Sequence, residues 1–161
     1  MSSAHKNLSD YKAQGLPDIS DKKFAIVTSE WNHEITSALH KGAIDTLLKH
    51  GASEDKIVSK WVPGSFELTL GAQWLAEDSS VHAVIAIGCL VQGETPHFDY
   101  ICQAVALGIK DVNLRHNKPV IFGVLTTQNI EQAKDRAGGK HGNKGDEAAY
   151  TAISMLSFHD Q

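Results

Sequence analysis

Long apolar stretches and an excess of basic charge are both missing from this 161-residue chain. No apolar run approaches the roughly 18 residues that a membrane-spanning helix needs. Residues 1–21 are polar and lack the apolar core of a secretory signal. A net charge of -4 gives bulk electrostatics no reason to favour nucleic acid or an anionic membrane. We therefore expect a cytoplasmic protein with neither kind of partner.

Metal and redox signatures are also scarce. Cys89 and Cys102 are the only cysteines. They form no Cys-x-x-Cys pair and lie among apolar residues, so we expect two reduced thiols in or near the core. The nine histidines are scattered without the spacing of a zinc motif, so no metal site is expected. A dinucleotide fingerprint, a Walker loop and a Gly-x-Ser-x-Gly elbow are absent too, which removes the commonest cofactor interpretations.

What the chain does have is a regular alternation of strand-like and helix-like segments. Predicted strands cover residues 24–28, 57–62, 81–91 and 119–125. A helix with apolar residues at helical spacing follows each strand. The first ends at Gly51, the second carries Leu68, the third follows a loop over 92–96 and carries Ile101, and the fourth lies around 130–136. A last helix follows a Gly-rich break at 138–145. Strands separated by helices predict a parallel sheet covered on both faces. We expect one doubly wound α/β domain over 22–161, preceded by a flexible N-terminal arm over 1–21.

Ligands of open α/β sheets bind beyond the carboxyl ends of the strands. Polar, aromatic and glycine residues follow four predicted strand ends, which are Glu30-Trp31-Asn32, residues 63–67, residues 92–99 and Thr126-Thr127. Trp31 is then either a core aromatic or a flat platform for a ring. Glu67, inside an apolar stretch, either extends to solvent or binds hydroxyl groups.

Two further segments leave alternatives open. Gly93-Glu94-Thr95-Pro96-His97 leads into a helix, whose N-terminal N–H groups favour an anion such as phosphate. There His97 either carries a proton or is a solvated first-turn residue behind a Thr95 cap. Arg136, with Lys140 and Lys144 after it, is either a surface patch or a binding group for an anion.

Taken together and in order, these motifs resemble the lumazine synthases. The stretches that carry the resemblance are Val62-Pro63-Gly64-Ser65-Phe66-Glu67, Gly93-Glu94-Thr95-Pro96-His97-Phe98-Asp99-Tyr100 and Arg136-Ala137-Gly138-Gly139. It extends over residues 24–158 and includes Gly42-Ala43, residues 119–127 and Gly142-Asn143-Lys144-Gly145. It implies a three-layer, flavodoxin-like fold with a four-stranded parallel sheet.

The resemblance also implies a reaction. The family condenses 5-amino-6-(ribitylamino)uracil with 3,4-dihydroxy-2-butanone 4-phosphate to 6,7-dimethyl-8-ribityllumazine, phosphate and water. It uses no metal or organic cofactor. Schiff-base formation, phosphate elimination and ring closure all need proton transfers between aligned substrates, so positioning supplies much of the rate.

Site roles carry over position by position. His97 matches the proton donor. The residues that match the pyrimidine side are Trp31, Ser65, Phe66, Glu67, Cys89, Leu90, Val91 and Phe122. Those that match the phosphate side are Glu94, Thr95 and Arg136. In the family Phe122 and Arg136 come from the neighbouring subunit of a pentamer, and some members close into a 60-subunit icosahedral shell.

The chain departs from the family pattern at three positions. Trp31 replaces a commoner Phe, Gln92 stands where Arg is frequent, and Thr69 stands where Pro is frequent. The larger ring of Trp31 offers more stacking area for a flavin. Two rival functions on the same fold are a non-catalytic flavin-binding or shell protein and a riboflavin synthase of the archaeal type. The combination of His97, Arg136 and Glu67 argues against a pure shell, which needs none of them.

Overall fold

The centre of the protein is a parallel sheet. A computed structural model describes residues 16–159, with strands β1 (Phe24–Ser29), β2 (Ile57–Val62), β3 (Ala83–Val91) and β4 (Val120–Thr127). These pair in parallel in the order β2-β1-β3-β4. The main helices are α1 (His33–Lys49), α2 (Leu68–Glu77), α3 (His97–His116), the short α4 (Ile130–Lys134) and α5 (Lys144–His159). The predicted α/β fold with four parallel strands is confirmed.

Burial on both faces explains why the first strand begins with four consecutive apolar residues, Phe24 to Val27. All six residues of β1 are buried. Phe24 and Ile26 pack into a core with α1 and α5, whereas Ala25 and Val27 pack into a second core with α2 and α3. Successive side chains of a strand point to opposite faces, so a strand inside a three-layer fold carries a run of consecutive apolar residues and no alternation.

The helices cover the sheet through apolar stripes at helical spacing. In α1 the stripe is Ile35, Leu39, Ala43 and Leu47, and in α3 it is Val105, Ile109 and Val112. All seven side chains are at most 5 % exposed, which is the one-sided burial expected of helices that pack on a sheet.

Glycines allow a close contact between α1 and α5. A Cβ on Gly42 would overlap Asp146 and Asn143, and one on Gly145 would overlap the carbonyl of Leu39. Asn143 reinforces the contact, because its Nδ2 donates to the carbonyl of Ala38 at 3.0 Å. Gly42 and Gly145 therefore bring α5, with the loop before it, directly against α1.

Three local predictions were wrong. Strand β4 runs to Thr127, because β3 pairs with it up to Val91. Helix α4 stops at Lys134. The Gly-rich break begins with an antiparallel hairpin of β5 (Ala137–Gly139) and β6 (Gly142–Asn143), and α5 already begins at Lys144. Positive φ angles of 111° at Gly138 and 71° at Gly142 explain why glycine stands in this hairpin.

The N-terminal arm is described only in part. Residues 1–15 lie outside the described range. Ile19 is completely buried in the core beneath α1 and α5, and Leu16 packs beside it. Packing thus extends to Leu16 within the segment expected to be an arm. Over residues 16–159, no helix is both long enough and apolar enough to cross a membrane.

Candidate active site

A cleft of about 640 Å³ opens at the carboxyl ends of β1, β2 and β3, beside the N-terminus of α3. We call it the first cleft. Most residues predicted for the site line it together: Trp31, Ser65, Phe66, Glu67, Cys89, Leu90, Val91, Thr95 and His97. Three loops that are distant in sequence meet there because parallel strands end at one edge of the sheet.

Trp31 stands at the mouth of this cleft. Its side chain is 71 % exposed, so it is not a core aromatic, and the alternative of a ring platform remains. The amides of Glu30 and Trp31 donate to the carbonyls of Val62 and Pro63 at 2.8 and 3.2 Å. These bonds tie the turn that carries the indole to the loop after β2, on which Phe66 is also exposed.

Ser65 and Glu67 form the part of the cleft beside α2. Ser65 is only 5 % exposed, and its Oγ has no hydrogen-bond partner among residues 16–159. A buried hydroxyl without a partner is costly unless a ligand or water completes it. Glu67 occupies the N-cap position of α2 without capping it, so its carboxylate oxygens remain free of that role.

The N-terminus of α3 contributes His97, its first residue. Pro96 is at the N-cap position, and no side chain caps the helix. The Thr95 cap of the alternative interpretation is therefore not formed. Free N–H groups at a helix N-terminus, next to an exposed histidine, suit an anion and a proton transfer in one place.

Cys89, Leu90 and Val91 form the floor of the cleft. Burial raises the pKa of the Cys89 thiol to about 11, so it stays protonated at neutral pH. Both cysteines are free thiols, as predicted. The floor is thus neutral, and in the described part of the chain no three His, Cys, Asp or Glu side chains come together as a metal-binding group.

Phe122 and Arg136 lie elsewhere, in a second cleft of about 730 Å³ along β4, α4 and α5. Phe122 is 43 % exposed on the edge strand. Arg136 donates from Nη1 to the carbonyl of Gln132 at 3.0 Å. Lys144 also lines this cleft and forms an ion pair with Glu147 at 2.6 Å. Within one chain the structure does not bring Phe122 or Arg136 into the first cleft.

Known proteins match this chain over nearly its full length. The family model of 6,7-dimethyl-8-ribityllumazine synthase matches residues 21–160. The chain is 62 % identical over 157 residues to the 6,7-dimethyl-8-ribityllumazine synthase of Cytophaga hutchinsonii, covering 98 % of both proteins. The enzymes of the same name from Porphyromonas gingivalis and Parabacteroides distasonis are 58 % and 54 % identical over 158 residues, covering 98 % of this chain and 98 % and 99 % of theirs. The chain belongs to the lumazine synthase family.

Two of the three departures from the lumazine synthase pattern fall outside the lining of the first cleft. Gln92 is exposed and donates to the carbonyl of Gly93 at 3.1 Å. Thr69 donates from Oγ1 to the carbonyl of Phe66 at 3.1 Å, in the first turn of α2. Only Trp31 changes the cleft surface itself. Glu94, predicted for the phosphate side, is exposed next to the lining residues Gly93 and Thr95 but is not one of them.

Five residues that line the first cleft were not predicted to take part in the site. They are Asn32, Gly64, Gly93, Phe98 and Ile101. Ile101 had a usable signal, because it lies four residues after His97 and so shares its helix face. Asn32 had only its place just after the first predicted strand, because the direction of its side chain depends on the backbone conformation of the turn.

Proposed function

We propose that this chain condenses 5-amino-6-(D-ribitylamino)uracil with 3,4-dihydroxy-2-butanone 4-phosphate to 6,7-dimethyl-8-ribityllumazine, releasing phosphate and water. Membership of the family supports it. The observation that carries it is the first cleft, where an exposed indole, a free carboxylate and a histidine at a helix N-terminus face one space. The partners in this reaction are small molecules, and no metal or organic cofactor is needed.

The first cleft would hold the pyrimidine substrate. Trp31 stacks on the ring, with Phe66 beside it, and the floor from Cys89 to Val91 reads the ring edge. Glu67 and the unpartnered hydroxyl of Ser65 bind the ribityl hydroxyls. Exposed aromatic area, a free carboxylate and a buried hydroxyl supply stacking and hydrogen bonding of the required kinds.

His97 would transfer protons during Schiff-base formation and ring closure. Glu94, Thr95 and the uncapped N-terminus of α3 hold the phosphate side of the butanone substrate. The amine of the pyrimidine substrate is already nucleophilic, so alignment of the two substrates remains a large part of the rate without His97.

The experiment that tests the activity is a product assay. Purified protein is incubated in three separate mixtures. The first contains the two substrates, the second contains 6,7-dimethyl-8-ribityllumazine alone, and the third contains riboflavin alone. Lumazine fluorescence from the first mixture is expected. Riboflavin formation from the second would favour the archaeal-type riboflavin synthase, and binding of riboflavin without either reaction would favour a flavin-binding or shell protein.

The oligomer proposed is a pentamer with shared active sites. The first cleft of one chain faces Phe122 and Arg136 of its neighbour, because a cyclic ring joins two different faces at every interface. The separation of the two clefts within a chain supports this, since each holds residues that the reaction needs.

Complementation tests the sharing of sites. One chain carries Trp31→Ala with His97→Ala and the other carries Arg136→Ala, and the two are unfolded and reassembled together. Restored activity is expected, because some interfaces then pair an intact Trp31 and His97 with an intact Arg136. No restoration in rings shown to contain both chains would contradict sharing.

A 60-subunit icosahedral shell is proposed as the final assembly. The segment 136–145 is compact, with the hairpin of β5 and β6 closing it within ten residues, and pentamer-only relatives often carry a longer insertion there. Electron microscopy is expected to show shells. Pentamers alone, across protein concentrations and phosphate buffers, would contradict this.

We also propose a cytoplasmic location and the division into an arm over 1–21 and a domain over 22–161.

A further inference from the structure

The end of β1 departs from the pairing that holds the rest of the sheet. In a parallel ladder, alternate residues bond to opposite neighbours. The registered pairing of β1 with β3 ends at Thr28↔Ile87. Beyond it, the amides of both Glu30 and Trp31 donate to β2-side carbonyls, those of Val62 and Pro63. Two consecutive amides on one side break the alternation, so the chain swings away from β3 at this point.

A continued ladder would have joined the amide of Trp31 to the carbonyl of Cys89. That follows from the register: Thr28 pairs with Ile87, so Trp31 would lie opposite Leu90. In this sheet an amide donates to the carbonyl of the residue before its partner, as Glu30 does to Val62, and that residue would be Cys89. With Trp31 bonded to Pro63 instead, the carbonyl of Cys89 loses its main-chain donor at the floor of the first cleft.

Asn32 supplies the missing donor. Its Nδ2 donates to the carbonyl of Cys89 at 2.9 Å, and because a carbonyl only accepts, the amide nitrogen must be the atom that faces it. Although Asn32 is the N-cap residue of α1, its side chain does not cap the helix. The side-chain amide instead bonds to the main chain of β3.

The backbone of Asn32 makes this reach possible. Its φ and ψ are 58° and 45°, the left-handed conformation that asparagine tolerates better than most residues. The turn directs the preceding Trp31 outward and its own side chain inward to the sheet. One residue thus joins the turn that bears the indole to the strand end that forms the floor.

We infer that Asn32 is a positioning residue for the pyrimidine substrate. It sets the spacing between Trp31 and the floor from Cys89 to Val91, and it occupies the carbonyl of Cys89. Strand alternation then leaves the N–H and C=O of Val91 directed to the side that β1 has vacated, because the amide of the next residue, Gln92, donates to Thr127 on β4 at 2.8 Å. These main-chain groups remain free for the ring edge. The inference rests on the proposed function.

Two substitutions separate the hydrogen bond from the backbone conformation. Asn32→Gly keeps the left-handed conformation and removes the side chain. Asn32→Asp keeps the shape and, being ionised at neutral pH, removes the donor. Both are expected to raise KM for the pyrimidine substrate about tenfold, the order of one lost hydrogen bond, while KM for the phosphorylated substrate changes less than twofold.

Asn117→Gly is the matched control. Asn117 is the other non-glycine residue with a positive φ, 45°, and it ends α3 at the opposite end from His97. Wild-type kinetics are expected for this variant. Thermal unfolding of all three variants reports whether each is folded at the assay temperature.

The outcomes are distinct. Unchanged kinetics in folded Asn32→Gly would show that only the turn conformation matters and would overturn the inference. Equal rises of both KM values would overturn it too. Calorimetric titration with the pyrimidine substrate alone gives Kd without turnover. If wild-type protein binds this substrate but forms no lumazine, the proposed function fails, whereas weaker binding by the two Asn32 variants still supports the inference.

Discussion

The two clefts of this chain differ in charge more than in size. The lining of the first cleft, about 640 Å³, includes His97 and Glu67 but no lysine or arginine. The second, about 730 Å³, is lined by Arg136, Lys144 and Glu147. A phosphorylated substrate needs fixed positive charge, and a hydroxylated ring needs aromatic surface and acceptors. The second cleft therefore holds the fixed positive charge that the first cleft lacks.

The two clefts differ because they lie at different places on the sheet. The first cleft gathers loops that follow β1, β2 and β3, so it depends on parallel strands ending together. The second lies along β4, an edge strand of the four-stranded sheet, against α4 and α5. An edge is open to another molecule, whereas the strand ends form a depression within one chain. In the proposed pentamer the two clefts would meet at each interface.

The largest expected effect is at the second cleft. Arg136→Ala should lower kcat/KM for the phosphorylated substrate about 1,000-fold, because a buried phosphate that loses a charged partner costs on the order of 4 kcal/mol. Steady-state kinetics against each substrate separately measure it. Arg115→Ala is the control, since Arg115 is exposed and bonds to Gln73 at 2.9 Å. An effect confined to the pyrimidine substrate would refute a phosphate role.

At the first cleft the corresponding change is His97→Ala, which should lower kcat about 100-fold without abolishing turnover, since general acid–base help is worth about that much or more. His33→Ala is the matched control. His33 is likewise the first residue of a helix after a strand, but it packs on Trp61 with ring centroids 5.3 Å apart. An unchanged kcat at saturating substrates would remove the proton-transfer role.

Phe122→Ala tests whether the second cleft also serves the ring. Loss of one aromatic contact, worth about 1 kcal/mol, should raise KM for the pyrimidine substrate several-fold and leave KM for the phosphorylated substrate nearly unchanged. Phe158→Ala, another exposed phenylalanine and one outside both clefts, is the control. A rise only for the phosphorylated substrate would mean that the second cleft serves phosphate alone.

The smallest effect is expected at the floor of the first cleft. With its pKa raised by burial to about 11 from 9.0, the Cys89 thiol has about 100-fold less thiolate at neutral pH than an ordinary cysteine. A Cys102→Ser variant, left with this thiol alone, should keep most of its activity in iodoacetamide at pH 7.5. The thiolate fraction of Cys89, and with it the rate of alkylation by iodoacetamide, should rise only as the pH approaches the raised pKa. Rapid inactivation at pH 7.5 would contradict a buried, protonated thiol.

Most of the fold followed from local pattern. The run Phe24–Thr28 reads as a buried strand because both of its faces meet a core, and the structure confirms it. The stripe from Ile35 to Leu47 reads as one helix face for a similar reason. The hairpin of β5 and β6 did not follow, because a strand of two or three residues carries too little periodicity to recognise.

The sequence by itself determined the alternation of strands and helices, the residue types at the strand ends and the family to which they belong. Those properties are local, since they depend on side chains a few positions apart. The family resemblance implied that Phe122 and Arg136 lie apart from the other site residues. Only the tertiary structure showed the two clefts that hold them, because that depends on which strand lies at the sheet edge. It also decided the place of Asn32, whose donor role exists only because β1 leaves β3 and deprives Cys89 of a main-chain partner.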